Sequence, residues 1–154
     1  MYVVRPSASL DIVVLCSLDH VAQTDAHRRE FITRSVAGGT CHVVETNAGQ
    51  PIGYGVLDYS FYENGFIAQL YIDCAHRRHG AATALLRRLE CLCQTPKLFT
   101  STNLSNQPMQ SLLAKMGYCL SGVIHDLDAC DPELVYVKYL KTESSRQSAE
   151  SSKR

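Results

Sequence analysis

The chain has 154 residues, 45% of them hydrophobic and 19% charged, which is the length and apolar content of one ordinary globular domain with a buried core. Fifteen basic residues balance fifteen acidic ones, which excludes a whole-chain attraction to nucleic acid or to an anionic membrane surface. The start, Met1-Tyr2-Val3-Val4-Arg5-Pro6, lacks the basic-then-apolar pattern of a secretion signal, and the longest apolar stretch, 12–18, is interrupted by Ser17; the expectation is a cytoplasmic protein with no membrane or nucleic-acid partner.

A β-rich run at 3–5 ends at Pro6-Ser7, and Ser9 is placed to cap a helix whose apolar positions Ile12, Val13, Leu15 and Cys16 recur at helical spacing. Thr24 or Asp25 caps a second helix through Phe31, Ile32 and Val36, stopped by Gly38-Gly39. Runs at 40–46 and 52–59, joined by the turn-forming cluster 47–51, read as an antiparallel hairpin. A second turn at 61–65 leads into a third strand at 66–72. Residues 80–94 then place Leu85, Leu86, Leu89 and Leu92 on one helical face that ends before Pro96, and 98–102 is a short strand. Asn106, with Pro108 in the first turn, caps a helix that runs to Met116 and is closed by Gly117.

Closing strands are expected at 118–124 and 134–140 around a polar loop. From 142 to 154 nearly every residue is Ser, Glu, Lys, Arg or Gln, so this stretch is expected to be a disordered tail and 1–141 the domain. The seven cysteines are an odd number without any two-residue spacing, Cys91 and Cys93 being separated by one residue; they read as reduced, mostly packing cysteines.

The stretch Leu70-Tyr71-Ile72-Asp73-Cys74-Ala75-His76-Arg77-Arg78-His79-Gly80-Ala81-Ala82-Thr83 combines a strand, a basic turn and a helix that opens with small residues. The first amides of a helix lack intrahelical acceptors and carry the positive end of its dipole, so they bind a phosphate group when no bulky side chain stands in front. Gly80, Ala81 and Ala82 keep that approach open, while Arg77, Arg78 and His79 add donors and charge.

This segment resembles motif A of the GNAT superfamily, in which Arg or Gln is followed by two residues, Gly, one residue and Gly or Ala; Arg77, Gly80 and Ala82 hold those positions. The segment from Asn106 to Tyr118, an Asn-initiated helix closed by Lys115-Met116-Gly117-Tyr118, resembles motif B of the same superfamily. With the β-α-α-β-β-β-α-β-α-β-β order, the resemblance covers about 3–140. It implies an α/β (α+β) fold with a mostly antiparallel mixed sheet of about six or seven strands, splayed into a V and flanked by about four helices.

It further implies acetyl-CoA as co-substrate, its pantetheine arm against main-chain groups near Leu70, Tyr71 and Ile72 and its pyrophosphate on Arg77, Arg78, His79, Gly80, Ala81, Ala82 and Thr83. Asn106 either contacts the coenzyme or is a plain helix cap. Many superfamily members carry, four residues before the motif B glycine, a tyrosine that protonates the leaving thiolate; here that position is Leu113. Tyr118 matches the aromatic after the glycine and is expected in the core. Cys119, Tyr71 or water is left to supply the proton, a light task because a thiolate is weakly basic.

The acceptor amine must be neutral to attack, and Glu63 and Asp58 are the candidate bases. Tyr59, Tyr62, Gln69, His125 and Asp126 are candidate acceptor-binding residues. The aromatics Tyr54, Tyr59, Phe61, Tyr62 and Phe66, with the acids Asp126, Asp128, Asp131 and Glu133, form either a pocket for a cationic amine or ordinary strand core and turn chemistry. No metal is expected, since the Asp-rich loop lacks the glycine and glutamate spacing of a calcium loop. The short turn at 61–65 favours a small-molecule amine as acceptor; the alternatives are a peptide or protein amine, or an acyl-CoA-binding sensor without turnover. The resemblance also makes a homodimer an expected partner state.

Overall fold

The computed structural model describes residues 1–140, in which β1 (Tyr2–Pro6), α1 (Asp11–Leu18), α2 (Ala26–Ala37), β2 (Cys41–Thr46), β3 (Pro51–Phe61) and β4 (Asn64–Ile72) are followed by a 3-10 turn at Cys74–His76. Then come α3 (Ala81–Leu92), β5 (Lys97–Asn103), α4 (Gln107–Lys115), β6 (Cys119–Ile124) and β7 (Glu133–Tyr139). The expected order of strands and helices is the order found; the 3-10 turn is the one element the sequence did not announce. The expected tail, 142–154, lies outside the described residues. The seven strands are ordered β1-β2-β3-β4-β5-β7-β6, and the described residues fall into two compact units, 1–58 with 67–92 and 59–66 with residue 93 onward.

In the first unit β1 pairs antiparallel with β2, and β2 with β3. Period-2 alternation sends Cys41 and Val43 of β2, Tyr54 and Val56 of β3 and Tyr71 of β4 to one face, where they pack on Leu15 of α1 and Ile32 and Val36 of α2. The opposite face receives α3, whose Leu85 and Leu89 lie so close over Gly55 that a β-carbon there would stand 2.9 Å from Leu89. At Gly53 a β-carbon would run into the carbonyl oxygen of Tyr71, so only glycine lets β3 approach β4 at that point. Leu10 precedes α1 without a side-chain cap bond, in place of the cap expected from Ser9. Asp11 serves that end instead: its carboxylate accepts the Ala8 N–H at 2.7 Å and is gripped by both terminal nitrogens of Arg5. Asp25 does cap α2, accepting the His27 N–H at 2.8 Å.

In the second unit β5 pairs antiparallel with β7, and β7 with β6. Leu113 of α4 and Tyr118 are buried, as are Leu134, Val135 and Tyr136 of β7. Asn106 caps α4 through the Met109 N–H at 3.3 Å, and Gly117, at φ +85°, ends it in the left-handed region. Tyr62 and Glu63, both at positive φ, form the tight β3–β4 turn, which is shorter than the 61–65 turn read from sequence because β3 continues through Phe61 and β4 starts at Asn64.

Candidate functional site

In the first unit, β4 ends at Ile72 and the chain turns through Cys74–His76 and Arg77–Gly80 into α3. The turn is held from both sides. Asp73 donates its N–H to the Ile52 carbonyl at 2.8 Å, while its carboxylate meets His76 Nδ1 at 3.1 Å. Arg77 folds its side chain back: Nε donates to the Ile72 carbonyl at 2.9 Å, and the guanidinium lies 5.6 Å from the centroid of the Tyr71 ring. Arg77 therefore fastens the turn to the strand end, and it is exposed together with Arg78 and His79.

Arg78 sits at φ +66° and Gly80 at φ +90°, and a non-glycine residue held in the left-handed region costs about 1–2 kcal/mol, a strain kept up by the surrounding hydrogen bonds. Left-handed backbone beside a helix start is the kind of turn from which anion-binding concavities are built. A β-carbon at Gly80 would meet nothing within 4 Å, so the space beside Gly80 at the start of α3 is open. Ala84 donates to the Gly80 carbonyl at 3.0 Å, which places the amides of Ala81, Ala82 and Thr83 in the first turn, without intrahelical acceptors. These residues fit a pyrophosphate group.

The same unit holds a polar cluster that the sequence reading did not single out. The α1–α2 connection begins with Asp19, which is fully buried. Its carboxylate accepts the Val21 N–H at 2.9 Å, the Ala22 N–H at 3.4 Å, the Tyr54 hydroxyl at 2.6 Å and Arg28 Nη1 at 3.1 Å. Burial, reinforced by Asp19, pushes the Tyr54 phenol far above the ordinary tyrosine range, so it stays a donor. The next residue, His20, donates its backbone N–H to the Tyr71 hydroxyl at 3.2 Å and places ring Nδ1 3.0 Å from the same oxygen. Partners 35 and 51 positions away leave no spacing for a sequence to display.

Of the other candidates in this unit, Gln69, Leu70 and Asp58 are half-buried on their strands, and Tyr71 and Ile72 are buried. In the second unit, Glu63 lies exposed in the β3–β4 turn and Tyr62 beside it is 85% exposed, packed only edge-on against Phe61. Tyr59 gives its hydroxyl oxygen to the Gln94 N–H at 3.0 Å. Cys119 is exposed on β6, and His125 and Asp126 are exposed in the loop before β7, with Asp126 at φ +67°. That loop is tied to the chain entering α4: Asp131 accepts the Ser105 hydroxyl at 2.6 Å and its N–H at 2.9 Å, and Asp128 accepts Asn103 Nδ2 at 2.8 Å.

The aromatic group read from sequence falls in both units. Tyr54 is core of the first unit, while Phe61 packs against Phe66 and Phe99 in the second with ring centroids 5.2 and 5.0 Å apart. A shallow cavity of about 240 Å³ lined by Phe61, Phe99, Ser121, Gly122, Val123, Ile124 and Val135 has no charged lining residue. The cysteines depart from expectation as well: Cys74, Cys91, Cys119 and Cys130 are exposed, and Cys41 alone is fully buried. Among the described residues no three His, Cys, Asp or Glu side chains converge on a metal site, and no helix is long and apolar enough to cross a membrane.

A family model described as Acetyltransferase (GNAT) family matches residues 12–118. Among solved structures, a GNAT-family acetyltransferase from Bacillus cereus is 27% identical with a TM-score of 0.85, the match covering 92% of this chain and 99% of that one. The ribosomal-protein-S18-alanine N-acetyltransferase of Escherichia coli is 13% identical with a TM-score of 0.75, covering 92% and 96%. A structure from Bacillus anthracis described as a streptothricin acetyltransferase in complex with acetyl coenzyme A is 15% identical with a TM-score of 0.59, covering 65% and 61%. No curated protein matches the chain.

Proposed function

Because the chain belongs to the GNAT acetyltransferase family, we propose that it binds acetyl-CoA and transfers the acetyl group directly to a primary amine, that of a small molecule. The observation that carries the coenzyme half of this reading is the turn from Ile72 to Ala81: open space at Gly80, left-handed backbone at Arg78 and Gly80, and first helix amides without intrahelical acceptors. Arg78 and His79 add charge for the phosphates, and Arg77 fixes the turn on β4. Main-chain groups from Leu70 to Ile72 hold the pantetheine arm and polarise the thioester carbonyl, so that aminolysis becomes largely a matter of orientation. Gly53 supports this assignment, since its lack of a side chain lets the Tyr71–Ile72 backbone sit where it does.

The acceptor class rests on less. The β3–β4 connection is Tyr62 and Glu63 alone, which leaves little chain for gripping an extended peptide. A peptide amine is the second acceptor class, because the E. coli protein of similar fold acts, by its name, on an alanine of a ribosomal protein. Four exposed free cysteines support a reducing compartment such as the cytoplasm.

A sensor without turnover is the second reading, favoured by Leu113, fully buried where many relatives place the tyrosine acid. Thiol release from acetyl-CoA, measured with spermidine, kanamycin, lysine and a short alanine-initiated peptide, separates the possibilities. Release with a polyamine or aminoglycoside supports the reading, release with the peptide alone moves the acceptor class, and binding without release for any amine leaves the sensor.

A further inference from the structure

We propose that His20 is the group that takes the proton from the acceptor ammonium, with Tyr71 fixing its ring and the buried Asp19 cluster fixing its backbone; this rests on the acetyl-transfer reading above. Asp19 accepts four hydrogen bonds, two of them from the N–H groups of Val21 and Ala22, so the chain on either side of His20 is pinned to α2 through Arg28 and to β3 through Tyr54. His20 itself is exposed, yet it is not free: its N–H and its Nδ1 both meet the hydroxyl of Tyr71, and the two rings lie 5.7 Å apart at 44°. Two bonds from one exposed residue to one buried phenol set the direction of the imidazole, at a cost in rotamer freedom that a surface histidine has no structural reason to bear.

The chemistry follows from which nitrogen is tied. In the tautomer that donates Nδ1–H to the Tyr71 oxygen, the lone pair lies on Nε2, which makes no hydrogen bond among the described residues. This is the arrangement of a general base: one nitrogen held, the other open. Tyr71 also belongs to the β4 stretch assigned to the thioester, so its side chain carries the base from the strand that would orient the acetyl group. The titratable and charged groups around the pair are Tyr54, with ring centroid 6.1 Å from Tyr71, Arg77 over the Tyr71 ring, and Asp19 with Arg28.

In the step, R–NH3⁺ gives one proton to Nε2, leaving R–NH2 and an imidazolium. The amine lone pair forms the new C–N bond while the C–S bond breaks and its pair stays on sulfur. The second nitrogen proton goes to the thiolate, and the imidazolium returns its proton to solvent.

The test measures kcat and KM from pH 6 to 9.5 for the wild type, His20→Ala, His20→Gln and Tyr71→Phe, using the panel amine with the fastest thiol release, with acetyl-CoA affinity followed by calorimetry. His20→Ala and His20→Gln are expected to lower kcat about 100-fold or more with acetyl-CoA affinity retained, and to lose the acid limb of the pH profile. Added imidazole is expected to restore part of the His20→Ala rate, which a merely structural histidine would not allow, while Tyr71→Phe keeps the acid limb at a reduced rate. An active wild type whose His20 variants keep kcat within twofold and the same pH profile, or a His20→Ala rate that imidazole leaves unchanged, overturns the inference and leaves the transferase reading standing. A wild type that binds acetyl-CoA but releases no thiol with any amine ends both.

Discussion

Truncating Asp19 tests the buried cluster, and its cost follows from what the carboxylate holds. Asp19→Ala leaves the Tyr54 hydroxyl, which has no access to solvent, with Arg28 alone, and leaves the Arg28 guanidinium, whose side chain is 23% exposed, without its carboxylate. Breaking a buried ion pair from one side costs about 3–5 kcal/mol, and the water that reaches Arg28 places this case at the low end, about 3 kcal/mol. For a chain of this length that lowers Tm by roughly 6–12 °C. Tyr54→Phe alone removes one hydrogen bond to a carboxylate, about 1.5–3 kcal/mol. Once Asp19 is gone the phenol keeps only its bond with Arg28, so the double variant should fall short of the sum of the two singles by about 1 kcal/mol or more. Urea unfolding at equilibrium reads all three, through midpoints compared at constant slope. Additivity within about 0.5 kcal/mol would show that the two groups do not act on one another and would refute the cluster as a unit.

Three further outcomes are expected. The Arg5 guanidinium, bonded to both oxygens of Asp11, holds that carboxyl below the usual aspartate range, so its contribution to stability is present above about pH 4 and is lost as pH falls through the depressed folded value; Asp11→Asn should show a flatter acid unfolding curve. Burial pushes the Cys41 thiol up to about 11, so alkylation of the native protein near pH 8, mapped by mass spectrometry, should label Cys74, Cys91, Cys119 and Cys130 and spare Cys41, with acetyl-CoA protecting Cys74 selectively. Gly53→Ala drives a β-carbon into the Tyr71 carbonyl and should cost about 1–3 kcal/mol by urea unfolding, whereas Gly122→Ala, with nothing within 4 Å, should stay within about 0.5 kcal/mol.

The fold was legible because its signals are local. Leucines at helical spacing in α3, the Asn106 cap and Gly117 stop of α4, and the Asp25 cap of α2 each act within a turn or two, and each is found where it was expected. The turn from β4 into α3 was legible for the same reason, since strand, basic residues and Gly80 are contiguous. What stayed hidden depends on long-range pairing. Nothing in Leu18-Asp19-His20 announces that Asp19 will be sealed against Tyr54 or that His20 will meet Tyr71; only the stacking of β3, β4 and the α1–α2 connection brings them together. The bond from Arg77 Nε to the Ile72 carbonyl was hidden too, since nothing in the neighbouring residues announces it.

The most direct test is a calorimetric titration of acetyl-CoA into the wild type and into Gly80→Glu, whose carboxylate would stand in the open space beside Gly80 at the start of α3. The account predicts saturable binding by the wild type and its loss in the variant, because an anion is set against the phosphates. Equal affinity in the two proteins, or no binding by the wild type, would contradict it.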